Sequence, residues 1–186
     1  LEKLVADPHA RVRVEAVRAL GRQGTARASE LALTALDRAM DPFLDYALWL
    51  TINELAEPWL AAVKSGAWKT AGREKHLEFG LNSVEPALAS EVLALLVGRQ
   101  GIPRDGSGPW IELIGSAGGA PELRRLFDLV VRGELDGPVA VRALAALANA
   151  ARLREAKPTG DVSNLGALLR AQNQAARVAA VLPDGQ

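Results

Sequence analysis

The sequence contains no cysteine. That excludes disulfides, thiolate nucleophiles, cysteine-ligated zinc, iron–sulfur clusters and covalent c-type haem attachment from these 186 residues. Histidine is nearly absent too, and His9 and His76 are too few for an all-histidine metal site. Neither sign of charge prevails, with 22 Lys and Arg against 22 Asp and Glu. A neutral chain carries no general electrostatic footprint for nucleic acid or an anionic membrane. Charges, glycines or prolines interrupt every apolar segment before the roughly 18 residues a membrane span needs. β-Branched residues are also scarce: Val, Ile and Thr total 24, whereas Ala counts 34 and Leu 29. Ala and Leu head the helix scale, while the β-branched residues favour strands. An all-β fold is therefore excluded and a sheet-based α/β domain disfavoured. With 49 % hydrophobic and 24 % charged residues, the chain has the composition of a folded globular protein.

The chain opens on Leu1-Glu2-Lys3, without an initiator Met or a signal-peptide n-region, and closes on Pro183-Asp184-Gly185-Gln186. We read it as a piece of a longer protein. The compartment is not legible.

Prolines and glycines punctuate the helical pattern. Pro8, Pro42, Pro58, Pro86, Pro109, Pro121 and Pro138 stand at the front of apolar-periodic runs, where a missing N–H costs nothing. Asp7 and Asp41 precede two of them as N-caps, while Gly21, Gly66, Gly98 and Gly133 follow runs as stops. This punctuation predicts helices at 8–20, 26–39, 42–55, 58–65, 70–82, 86–98, 109–116, 121–132, 138–154 and 164–182, the last bending near Asn173. Residues 100–109 (QGIPRDGSGP) and 156–163 (AKPTGDVS) predict loops, the first being the place for a kink. The same helical texture resumes after both, so 1–186 reads as one unit.

Self-similarity carries the most information. DPHARVRVEAVRALG starts at Asp7, DPFLDYALWLTINEL at Asp41, 34 residues later, and DGPVAVRALAALANA at Asp136. Val12-Arg13 aligns with Val141-Arg142 and Ala16 with Ala145, and a period in this range marks helical hairpins stacked as an α-solenoid. Asp-Pro-x-x-x-Val-Arg-x-x-Ala-x-x-Ala-Leu-Gly resembles the second-helix signature of HEAT and HEAT-like repeats. The residues that carry it are Asp7, Pro8, Arg13 and Ala16, then Asp41 and Pro42, then Asp136, Pro138 and Arg142. The resemblance implies an all-α right-handed α-solenoid of about four to five hairpins. It also implies that the Asp caps the helix, the Pro starts it, and Arg13 and Arg142 bond to the capping Asp of an adjacent repeat.

A narrower resemblance rests on three segments: MDPFLDYALWLT at 40–51 with ALTALDRA before it, GSAG at 115–118, and the Ala-rich helix ending ARLR before PTGD at 158–161. They look like the repeat portion of large planctomycete-type proteins, labelled putative membrane-bound dehydrogenases or haem-binding proteins. In those proteins a propeller-like domain precedes the repeats and a Cys-x-x-Cys-His cytochrome segment follows. The resemblance implies haem c elsewhere in a parent protein, none in this segment, and a periplasmic or otherwise extracytoplasmic location.

Few residues suggest chemistry. His76 with Glu78 is two apart, so the two diverge on a helix and predict a surface histidine rather than a ligand pair; His9 reads as exposed. Tyr46, Trp49 and Asn53 share a stripe on helix 42–55, apart from Leu44, Leu48, Ile52 and Leu55. They are either an aromatic patch for a partner or a second buried stripe between stacked hairpins, and the second reading is favoured. Arg11, Glu15 and Arg18 either meet an acidic partner or form a solvated face with pairs at helical spacing, again the favoured reading. Arg124, Arg125 and Asp128 read the same way. The glycines of 101–108 lack the preceding strand and the Gly-Lys-Ser/Thr of a phosphate loop. Ser107, Ser116 and Ser163 have no nearby His to serve as base.

The functional expectation is a non-catalytic scaffold that positions dehydrogenase-like and cytochrome domains of a larger protein, with protein partners, no nucleic acid and no membrane insertion. The alternatives are a HEAT-like enzyme, of the bilin lyase or DNA glycosylase kind, and an adaptor acting in trans.

Overall fold

The computed structural model describes residues 1–168, 170 and 171. Among them there is no strand; the protein is all-α. The helices are α1 (Glu2–Val5), α2 (Ala10–Gly21), α3 (Ala26–Leu33), α4 (Pro42–Glu54), α5 (Ala56–Ser65), α6 (Glu74–Ser83), α7 (Pro86–Gln100), α8 (Trp110–Ala117), α9 (Ala120–Val131) and α10 (Gly137–Arg154), with a 3-10 turn at Thr34–Asp37. Residues 163–168 are also helical. Most of the helix predicted at 164–182, with its bend at Asn173, lies outside the described residues. No described helix is long and apolar enough to cross a membrane.

The prolines act in three ways. Pro42 and Pro86 occupy the first helical position as predicted, and Pro121 and Pro138 the second. Pro58 sits third in α5, still among the orphan N–H groups of the first turn. Pro8 and Pro109 stand ahead of α2 and α8 instead. Capping by the repeat aspartates holds only once. Asp41 accepts from the amides of Phe43 and Leu44 at 2.9 Å each. Asp7 takes only the His9 amide, and His9 is the N-cap of α2. Asp136 stands at the N-cap of α10, yet its carboxylate accepts from Arg104 Nε at 2.9 Å. The run predicted at 26–39 breaks into α3 and the 3-10 turn.

Contacts group the chain into two compact units, Leu1–Leu96 and Val97–Gln186. The boundary falls just ahead of the 100–109 segment. In the first unit α2 packs on α1, α3 and α4, α3 on α5, and α4 on α5 and α6. Arg13, near the start of α2, reaches the Ala39 carbonyl just before α4. Toward their ends the Thr51 hydroxyl donates to the Val17 carbonyl. So α2 and α4 run side by side in the same direction. The core is Leu20, Leu33, Leu44, Leu48, Ile52, Leu55, Trp59, Leu77 and Leu81. α6 crosses the Trp59 indole at Gly80, where a Cβ would come within 2.5 Å of ring atom Cζ2.

In the second unit α8, α9 and α10 pack mutually around Ile111, Leu113, Leu123, Leu126 and Leu147. α8 meets α10 closely, and a Cβ at Gly115 would lie 2.9 Å from that of Ala146. Arg154, in the last turn of α10, donates through Nη2 to the Ile114, Gly115 and Gly118 carbonyls and so closes the end of α8. The 156–163 loop is tied to α9 by Arg124, which donates to the carbonyls of Thr159 and Asp161.

Candidate functional site

α4 is where sequence and surface depart from an ordinary helix. Asp41 and Pro42 start it, and Leu44, Ala47, Leu48, Thr51 and Ile52 turn one face into the core. The opposite face would normally be polar. Here it holds Phe43, 80 % exposed, Tyr46, 63 %, Trp49, 40 %, and Leu50, 37 %. The Tyr46 and Trp49 rings stack on each other, 5.9 Å between centroids and 20° between planes. The expectation that Tyr46 and Trp49 sit buried between hairpins fails at these exposures; within the first unit nothing covers them. Asn53, the third residue of the predicted stripe, has a tying role. Its amide donates to the Ser83 carbonyl at the end of α6 and to the Trp49 carbonyl. Phe43 and Leu50 were missed, although 43, 46 and 50 share one face at helical spacing.

Beside this face lies the exposed stripe of α2: Arg11, Glu15, Arg18 and Arg22. The stripe is solvated, as expected. The expected pairs are not formed, since neither Arg11–Glu15 nor Glu15–Arg18 closes to an ion pair among the described residues. Among the described residues the guanidinium groups of Arg11, Arg18 and Arg22 form no ion pair with a carboxylate. On the other flank of α4, Asp45 and, on α6, Glu78 are exposed. The first unit thus presents an apolar aromatic strip between an α2 edge of three arginines and two acids, Glu15 and the Glu54 carboxylate that lies against Gly21, and an edge that is acidic at Asp45 and Glu78.

The remaining repeat residues are structural. Arg13 is buried, and its guanidinium donates to the carbonyls of Asp7 at 2.8 Å, Pro8 at 3.1 Å and Ala39 at 2.6 Å. It bonds backbone, not the carboxylate of a capping Asp. Arg142 likewise meets Glu112 of α8 at 2.8 Å and the Gly106 carbonyl. Ala16 is buried in α2, while Ala145 is exposed in α10. Arg124 pairs with Asp128 at 2.9 Å, the expected i,i+4 contact.

An open hollow of about 630 Å³ between α1 and α2 is lined by Leu1, Leu4, Val12 and Ala16, with Arg11 and Glu15 on its border, and two further clefts lie elsewhere. One, about 400 Å³, contains His76, Asp37, Glu30, Arg27 and Arg73. His76 is buried and its Nε2 lies 2.8 Å from Asp37 Oδ1, which corrects the surface reading. Its partner stands 39 residues away, out of reach of any local spacing argument. Glu30 accepts from Arg27 at 2.7 Å and Arg73 at 2.6 Å. Burial raises the Glu30 pKa, but these two guanidinium groups outweigh it and hold the carboxyl below its ordinary range. Every charge in that cleft has a local structural partner or reaches solvent, and no group of three or more metal-capable side chains occurs among the described residues. The other cleft, about 470 Å³, lies between α8 and α10 over Gly115, Ser116, Ala145 and Ala146, with Arg142–Glu112 at its rim. Its floor is small and apolar and offers no nucleophile–base pair. Compared with known proteins, the chain matches no family model, no curated protein and no solved structure.

Proposed function

We propose that the chain is a HEAT-type α-solenoid segment that works as a non-catalytic docking surface. In this reading it holds other domains, of the dehydrogenase-like and cytochrome kind that the sequence resemblance implies, in a longer extracytoplasmic protein. The observation that carries the docking role is the exposed Phe43–Tyr46–Trp49–Leu50 face of α4. Aromatic side chains in the open lose water on binding and dominate interface energetics, so a surface that keeps four large apolar groups exposed on one helix face is built for contact. The solenoid reading is supported by the second-neighbour packing of α2 on α4, α3 on α5 and α4 on α6.

The test is a photo-crosslinking residue at position 43, in the native host, against a control at Arg125 on α9. A discrete cross-linked protein or domain from position 43 alone is the expected result. No discrete product from 43, or the same products from both positions, overturns the docking role.

A further inference from the structure

We infer that the occupant of the α4 face is a single amphipathic helix whose apolar stripe is flanked on one side by carboxylates. The inference rests on the docking reading above and names its partner chemistry.

The apolar strip runs from Phe43 to Leu50, about 10 Å along the helix axis at roughly 1.5 Å per residue. A second helix laid along it offers apolar side chains at the same 3–4 residue rhythm, so its i, i+3, i+4 and i+7 positions meet Phe43, Tyr46, Trp49 and Leu50 in register. α2 already demonstrates that geometry, lying side by side with α4 from the Arg13–Ala39 contact to Thr51–Val17.

Charge selects the sequence of that helix. Arg11, Arg18 and Arg22 form a row along α2 at i, i+7 and i+11, exposed and without ion pairs among the described residues, and they outnumber the two acids beside them, Glu15 and the Glu54 carboxylate that lies against Gly21. A carboxylate at i±3 or i±4 in the same helix stands within contact range of such a guanidinium. Here Glu15 is at that spacing and is not engaged. The row is complementary to glutamates or aspartates on the near flank of a docked helix, and each such pair adds specificity more than raw affinity. The opposite edge, Asp45 and Glu78, asks for lysines, arginines or neutral residues, so the apolar stripe sets the rotation of the docked helix and the two edges favour one direction for it.

The same two carboxylates argue against the other polyanions that Arg-plus-aromatic surfaces take. A single-stranded nucleic acid stacked on Tyr46 and Trp49 would bring phosphates toward Asp45 and Glu78, and an anionic membrane would meet them along its whole plane. A peptide helix can carry carboxylates on one side only.

The experiment uses the whole chain and two synthetic helices that share one Leu stripe, a Glu helix with Glu along one flank and Lys along the other, and a Lys helix with Lys along both, which turning end for end cannot relieve. Binding is read by fluorescence anisotropy of labelled peptide at low and high salt. The Glu helix binds at least tenfold more tightly than the Lys helix, and salt narrows the gap. The Tyr46→Ala/Trp49→Ala double variant weakens both peptides about tenfold or more. Arg11→Glu/Arg18→Glu/Arg22→Glu reverses the preference, a gain of binding by the Lys helix that misfolding cannot produce. Equal binding of the two helices by the unaltered chain, or no binding of either, overturns the proposal, as does tighter binding of phosphatidylserine vesicles or oligothymidylate. If position 43 still gives its discrete cross-link, the docking role stands and only the acidic helix falls. Loss of both sinks both.

Discussion

At Gly80 two residue-scale effects oppose each other. Alanine in a helix interior is favoured over glycine by about 1 kcal/mol. Yet a Cβ here would stand within 2.5 Å of the ring of Trp59, a large, rigid side chain that is fully buried. Overpacking of that kind costs about 1–3 kcal/mol, so the clash wins. Gly80→Ala is expected to lower the urea midpoint, whereas Gly98→Ala, on α7 with open space around its Cα, is expected to leave it unchanged or raised. A raised midpoint at position 80 would mean that Trp59 has another place to go. Neither partner could be read from spacing, because Trp59 and Gly80 belong to different helices. The same holds for Arg13, whose burial follows from carbonyls that only the folded loop before α4 brings within reach. By contrast Leu44, Leu48 and Ile52 were legible as core, since a helix repeat is a local property.

Among elements, polar side chains make ties between helices, neutral ones such as Thr51 and Asn53 as well as charged ones. Glu30 on α3 takes guanidinium groups from Arg27 in its own helix and from Arg73 ahead of α6. Its pKa is lower folded than unfolded, so the stabilisation is fully present above the unfolded value of about 4.3 and disappears as pH falls through the folded one. Glu30→Gln should therefore be less stable than the parent at neutral pH, with the two converging below about pH 4 in thermal melts. Parallel curves across that range would show that the pair contributes nothing. Helix positions were legible along most of the chain because prolines and glycines punctuate it. Caps were not: Asp7, Asp41 and Asp136 look equivalent in sequence, but only Asp41 turns its carboxylate onto its own helix, the Asp136 group being claimed by Arg104.

Taken whole, the molecule combines zero formal charge and an isoelectric point near 7.0 with an exposed aromatic strip. Without net repulsion between copies, the strip is the surface through which they would meet. Solubility should pass through a minimum near pH 7, and Tyr46→Ala/Trp49→Ala should raise that minimum, both readable by light scattering. A minimum that the double variant leaves in place would assign the attraction to another surface. Neutrality was plain from composition. That four large apolar side chains on one helix would remain uncovered in the first unit was not, because periodicity tells which residues share a face but not whether another element lies over it.

Arg154 closes α8 from the far end of α10, holding the carbonyls of Ile114, Gly115 and Gly118. During synthesis those three carbonyls leave the ribosome long before their donor does. Until residue 154 emerges, the end of α8 has the Gly118 amide on the Ile114 carbonyl, but the Gly115 and Gly118 carbonyls lack their guanidinium donor. The end of α8 is thus tied late, by a residue in the last turn of α10, and a nascent chain halted inside α10 carries an α8 without that tie.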